Sequence, residues 1–157
     1  MAHVQILNDK VVAVFGGPQD CEGYAEIADD DPRLFVRAKA ARWSDIKAER
    51  DRRKIDGGYK VTVGGVDKWF HSDAFSRNQQ LGLVLLGASI PPGLQWKTMD
   101  GSFVAMTQSL ASQVFAAAAA QDMATFTAAE THKAAMEASS DPASYNFSGG
   151  WPAIFGG

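Results

Sequence analysis

The chain has 157 residues, 46% hydrophobic and 21% charged, and its 15 Lys and Arg against 18 Asp and Glu leave a formal charge of −3. That is enough chain for one compact domain or two small modules, and so mild an acidity supplies no field to hold a polyanion, so a nucleic-acid partner is not expected. The longest apolar stretch, Leu81 to Ile90, falls well short of the roughly 20 residues that cross a bilayer, and Cys21, the one cysteine, excludes an intramolecular disulfide or a multi-cysteine zinc site.

The opening Met-Ala-His-Val has neither a basic nor an apolar leader segment, so no secretory signal is expected and synthesis is expected in the cytoplasm. Charge is unevenly spread: residues 1–36 carry −5, residues 37–60 carry +5 and residues 61–157 carry −3. These zones suggest an α+β chain in three pieces: a small strand-rich N-terminal module over 1–36, a basic connector helix over 37–57, and a module over 58–157 in which β-hairpins pack on two helices.

In the first piece, Val4 and Ile6, then Val11 to Phe15, predict two short strands around the polar turn Asn8-Asp9-Lys10, closed by Gly16-Gly17-Pro18. The second strand is apolar throughout, so its period does not say which face is buried. Residues 23–31 read as a polar connection ending in Asp29-Asp30-Asp31. Three adjacent carboxylates lack the alternating oxygens of a calcium loop, whereas Asp31 before Pro32 suits a cap and the first turn of a helix or short strand.

Residues 38–55 are rich in helix formers, and Gly57-Gly58 stops them. Trp43, Ile46 and Ile55 make a narrow apolar stripe, so this helix is expected to bridge modules or to meet a partner, with Trp43 and Ile46 as contact candidates. Arg50 and Arg53 belong to a run, Arg50 to Lys54, that reads as a solvated charged face interleaved with Glu49 and Asp51 rather than as a phosphate patch. They are carried forward as partner-contact candidates, and the basic block is expected to match acidic residues of its own or a neighbouring chain.

Tyr59 to Val63 and Val66 to His71 alternate around Gly64-Gly65, the signature of a hairpin. Ser72-Asp73 offers a helix cap, and Phe75, Leu81, Val84, Leu85 and Ala88 recur at helical spacing and predict a buried stripe. A second hairpin is expected around Asp100-Gly101, then a long alanine-rich helix over 109–139 stopped by Asp141-Pro142. The tail is aromatic: Tyr145, Phe147, Trp151 and Phe155 ask for a surface, their own or a neighbour's, and burying Trp151 and Phe155 would contribute about 3–6 kcal/mol before ordering costs.

Catalytic chemistry is not indicated. His3, His71 and His132 are isolated, no Gly-x-Ser-x-Gly elbow or phosphate loop occurs, Asp67 and Asp73 around Trp69-Phe70-His71 suit outward polar positions, and Cys21 lacks cationic neighbours. No catalytic residue, metal or cofactor is expected, and the chain is read as non-enzymatic.

Glu49-Arg50-Asp51-Arg52-Arg53, Gly64-Gly65-Val66, Phe70-His71-Ser72-Asp73-Ala74-Phe75-Ser76-Arg77 and Leu94-Gln95-Trp96-Lys97-Thr98-Met99-Asp100-Gly101-Ser102-Phe103-Val104 resemble a domain of unknown function common in tailed-phage tail-region proteins. Tyr145-Asn146-Phe147-Ser148-Gly149-Gly150-Trp151-Pro152 is similar to the Gly-Trp-Pro ending often seen there, while His71 stands where an Asp or polar residue is more usual. Residues 9–18 and 26–34 resemble N-terminal parts of short proteins encoded with phage tail fibres. The resemblance implies a structural component of a phage tail, in the baseplate or tail-fibre apparatus, located in the virion after synthesis in the host cytoplasm. It also implies other tail proteins as partners and a homo-oligomer, a trimer being the usual form of fibre components. The alternative is a non-virion chaperone for tail-fibre assembly. The family carries no catalytic residues to transfer.

Overall fold

The structure is a computed structural model that describes all 157 residues. It is α+β, with seven short antiparallel strands in three small sheets and three α-helices. By contact it divides into two compact units, Met1–Ile46 with His132–Phe147, and Lys47–Thr131 with Ser148–Gly157. Two of the borders fall inside long helices and the third in the C-terminal tail, which differs from the three pieces that charge suggests: charge is read along the chain, whereas a compact unit gathers segments far apart in it.

In the first unit, β1 (Ala2–Leu7), β2 (Lys10–Phe15) and β3 (Tyr24–Ile27) form an antiparallel sheet in the order β2-β1-β3. Asn8 and Asp9 both take positive φ, 51° and 60°, as a tight two-residue hairpin turn demands. Pairing runs Gln5 to Ala13 and then Ile6 to Val11, so Val12 is an extra, bulged residue. The bulge resets alternation in an all-apolar strand, leaving Val11 buried and Val12 and Val14 about half exposed. Val4, Val11 and Ile27 form the small core, with Ile6 and Leu34 against it.

The polar connection expected over 23–31 is corrected by β3: Ile27 points into the core and Glu26 outward, and the acidic neighbours hide that alternation. Helix α1 (Pro32–Asp56) starts six residues before the expected 38. Asp31 accepts the Arg33 backbone N–H at 2.9 Å and Pro32 fills the first helical position, so Leu34, Phe35 and Val36 are helical rather than the end of a strand module.

In the second unit, β4 (Tyr59–Val63) and β5 (Val66–Phe70) pair in the expected register, Tyr59 to Phe70 and Val63 to Val66, around Gly64 and Gly65 at φ 58° and 82°. Gly58 is required on two counts: its φ is 69°, and a Cβ there would lie 2.3 Å from the Met99 sulfur and 2.9 Å from the Phe70 carbonyl. Helix α2 (Ala74–Leu86), the short hairpin β6 (Gln95–Lys97) and β7 (Phe103–Ala105), and α3 (Gln108–Ala138) follow. The main core gathers Tyr59, Val61, Phe70, Leu83, Val104, Met106, Leu110 and Val114.

The buried stripe expected on α2 is corrected. Val84 of that stripe is partly buried against the core, but Phe75, Leu81 and Leu85 are 71%, 41% and 79% exposed and Ala88 is exposed too; Leu86 is 50% exposed, while Gln80 and Leu83 are the buried residues. The cause is polar: Arg77 and Gln80 on the opposite face are tied by hydrogen bonds into the interior, and a helix cannot bury both faces against one small core.

Candidate functional site

The Phe70-to-Arg77 motif forms a hydrogen-bonded hub. Asp73 caps α2, accepting the Ser76 N–H at 3.0 Å and the Ser76 hydroxyl at 2.6 Å, which lowers its carboxyl below the ordinary range. Arg77 donates to Asp122 of α3 through two nitrogens at 2.7 and 2.9 Å, to the Ser72 carbonyl at 2.6 Å and to the Lys54 carbonyl at 3.2 Å, with Tyr59 under its guanidinium at 5.5 Å. Ser72 accepts the Gly58 N–H and donates to the Ile55 carbonyl, both at 2.9 Å. The buried Gln80 accepts from the Tyr59 hydroxyl and donates to the His71 carbonyl at 2.9 Å; burial raises the Tyr59 pKa. These groups are saturated with partners, so the motif holds structure together.

A second ring of hydrogen bonds closes the β6–β7 turn. Asp100 accepts from Lys68, the Ser102 hydroxyl and N–H, and Thr98, at 2.6–2.9 Å, and these hold its carboxyl well below the usual range.

The expected partner contacts divide between the two units. In the first, Lys133 sits 5.1 Å over the Trp43 ring, His132 meets the Tyr145 hydroxyl at 3.0 Å, and Phe147 lies under Arg42 at 5.5 Å. Arg42 also donates to the Pro142 and Ala143 carbonyls, anchoring the turn after α3. Ile46 is fully buried, so no other chain can reach it in this fold.

In the second unit, Arg53 stacks over Trp151 at 5.3 Å and donates to the Pro152 carbonyl at 3.1 Å, while Gln121 donates to the Ala153 carbonyl at 2.8 Å. The Phe155 N–H reaches the Gly57 carbonyl at 2.9 Å, and its ring meets Trp69 edge-on. Arg50 lies 4.8 Å over Phe126. Arg50 pairs with Asp51, and Arg52 and Arg53 pair with Glu49, so these cations meet carboxylates of their own helix, where the charge zones suggested a match with an acidic block. The aromatic tail therefore finds its surface on its own chain.

What stays open is elsewhere. Beside the outer face of α2 runs a groove of about 700 Å³, lined by Gly82, Leu86, Leu94 and Trp96 together with the polar His71 and Lys97. The buried Trp96 indole N–H meets no acceptor. No group of three or more His, Cys, Asp or Glu side chains is placed to hold a metal ion, and no helix is long and apolar enough to cross a membrane.

The domain of unknown function DUF4376 matches residues 37–149. The chain belongs to this family. The DUF4376 region starts inside α1 and takes in both hairpins, α2, the Arg77 hub and α3; the N-terminal sheet, Trp151 and Phe155 lie outside it. No curated protein and no solved structure matches the chain.

The apolar outer face of this DUF4376 domain is absent from the contacts expected from sequence. Three signals pointed to it: the polar Arg77 and Gln80 on one side of α2, Gly82 in mid-helix, and a run from Asn78 to Trp96 without a charged residue.

Proposed function

We propose that this chain is a non-enzymatic structural component of a bacteriophage tail, placed in the baseplate or tail-fibre apparatus, that works by presenting contact surfaces to other tail proteins and to copies of itself. The phage context comes from the motifs spanning Glu49 to Val104. The observation that carries the contact role is the number of large apolar side chains left in solvent in both units: Val12, Val14 and Val36 in one, Phe75, Leu85, Phe103 and Met123 in the other. Isolated exposed apolar residues are ordinary, but a whole helix face of them marks a surface that is covered in use.

In this reading the Arg77 hub and the cation-bound aromatic tail stiffen the domain so that its outer faces are held ready for docking. The chain resides in the virion tail. Mass spectrometry of purified virions tests this: the chain is expected at a stoichiometry fixed relative to the tail fibre. Fibre-bearing virions that lack it would overturn the reading, and soluble fibre formed only when the chain is co-expressed would move it to the assembly-chaperone alternative.

A further inference from the structure

The outer face of α2 carries a pattern that reads the same in both directions. Phe75, Gln79, Gly82 and Leu86 lie on one stripe with spacings of four, three and four, and Leu85 flanks it on one side beyond the exposed Asn78. The geometry points to a second copy of this chain as the occupant of that face, with the two α2 helices crossing antiparallel about a twofold axis. In that arrangement Phe75 of each copy meets Leu86 of the other, and Gln79 of each lies over Gly82 of the other. Every contact is made twice, as a self-complementary interface requires.

Three observations support self-pairing. A Cβ at Gly82 would meet nothing within 4 Å, so no packing inside the chain asks for glycine there, although glycine weakens a mid-helix position. Its notch lets a second helix approach closely and receive a side chain. Phe75, Leu85 and Leu86 expose on the order of 300 Å² of apolar surface, about two-thirds of the apolar share of the roughly 800 Å² that each partner buries in an interface of standard size. No charged residue lies on the stripe itself: residues 78–96 carry none and Arg77 is turned inward onto Asp122, while the exposed Lys97 lines the groove beside it.

The pairing rests on reading the exposed apolar faces as contact surface, but it is measured on the isolated chain and so can fail or succeed apart from any place in a virion. Sedimentation equilibrium of the full chain over a wide concentration range is expected to show a monomer–dimer equilibrium. Leu85→Asp, at a largely exposed position, is expected to leave a monomer with an unchanged circular dichroism spectrum. Gly82→Gln, which improves helix propensity but fills the notch, is expected to raise the melting temperature of the dilute chain while weakening association by about tenfold or more. In a Cys21→Ser background, a mixture of Gln79→Cys and Gly82→Cys chains is expected to form disulfide-linked pairs faster than either variant alone. A monomer at every concentration, a three-copy species, association that survives Leu85→Asp, or equal cross-linking of all three samples would each overturn the antiparallel pairing.

Discussion

Arg77 of α2 and Asp122 of α3 form a two-pronged ion pair, Nη1 to Oδ2 at 2.7 Å and Nη2 to Oδ1 at 2.9 Å, with both side chains less than a third exposed. The same guanidinium donates to carbonyls of Lys54 and Ser72, so one side chain joins the end of α1, the start of α2 and the middle of α3. Arg77→Ala is expected to cost about 2–4 kcal/mol, because Asp122 and two carbonyls lose their donor together. Arg77→Lys keeps the charge but loses the planar fork and is expected to recover less than half of that. Urea unfolding of both variants checks this; a lysine variant as stable as the parent would show that charge alone suffices.

The C-terminal strap is held by Arg53 on Trp151 and by the Phe155 N–H on the Gly57 carbonyl. Trp151→Ala is expected to destabilise by about 1–3 kcal/mol through lost contact area and the lost cation–ring interaction. Thermal unfolding measures it, and deletion of residues 148–157 is expected to lower the melting temperature further, since the Phe155 and Ala153 attachments go with it.

Ile46 has no exposed surface and lies on a helix with few other apolar anchors. Ile46→Ala is expected to cost about 3 kcal/mol, while Ile46→Val costs about 1 kcal/mol. Chemical denaturation separates the two; equal, negligible losses would mean that the site collapses around the missing atoms.

Acid should act on one helix cap and one turn. Hydrogen bonds from the Arg33 guanidinium and then its backbone N–H lower the Asp31 pKa from 3.8 to about 2. Because the folded value is the lower one, this carboxylate stabilises the fold fully above its unfolded pKa, and the contribution is lost as pH falls from about 4 through 2. Asp100, held low first by Lys68 and then by the Ser102 and Thr98 hydroxyls, acts with the same sign. Carbon-detected NMR titration is expected to place the Asp31 midpoint near 2, and Asp31→Asn should make stability less steep in pH over that window.

Local patterns carried much of the fold. Gly64-Gly65 between alternating runs, Asp73 ahead of α2, and Gly57-Gly58 after the basic run each specify a turn, a cap or a stop through the backbone of a few adjacent residues, and each stands where it was expected. Such features need no partner from elsewhere in the chain. The Asn8-Asp9 turn was equally legible, but the bulge at Val12 was not, because a run of five apolar residues carries no alternation to read.

Burial was the part that neighbours in sequence could not settle. Phe75, Leu81 and Leu85 have the spacing of a core stripe, yet Arg77 and Gln80 take the inner face, because Asp122, forty-five residues away, and Tyr59 on a different strand supply partners that outweigh apolar burial at that place. Likewise the sequence left open whether Trp43, Arg53 and Trp151 meet their own chain or another protein, and Lys133, the Pro152 carbonyl and the cation–ring stack supply partners from their own chain. Composition and short-range pattern specified an acidic, single-cysteine α+β chain with its turns and caps in place. Which helix face lies inside, and so which face is left for another molecule, depended on hydrogen bonds and ion pairs between residues that only folding brings together.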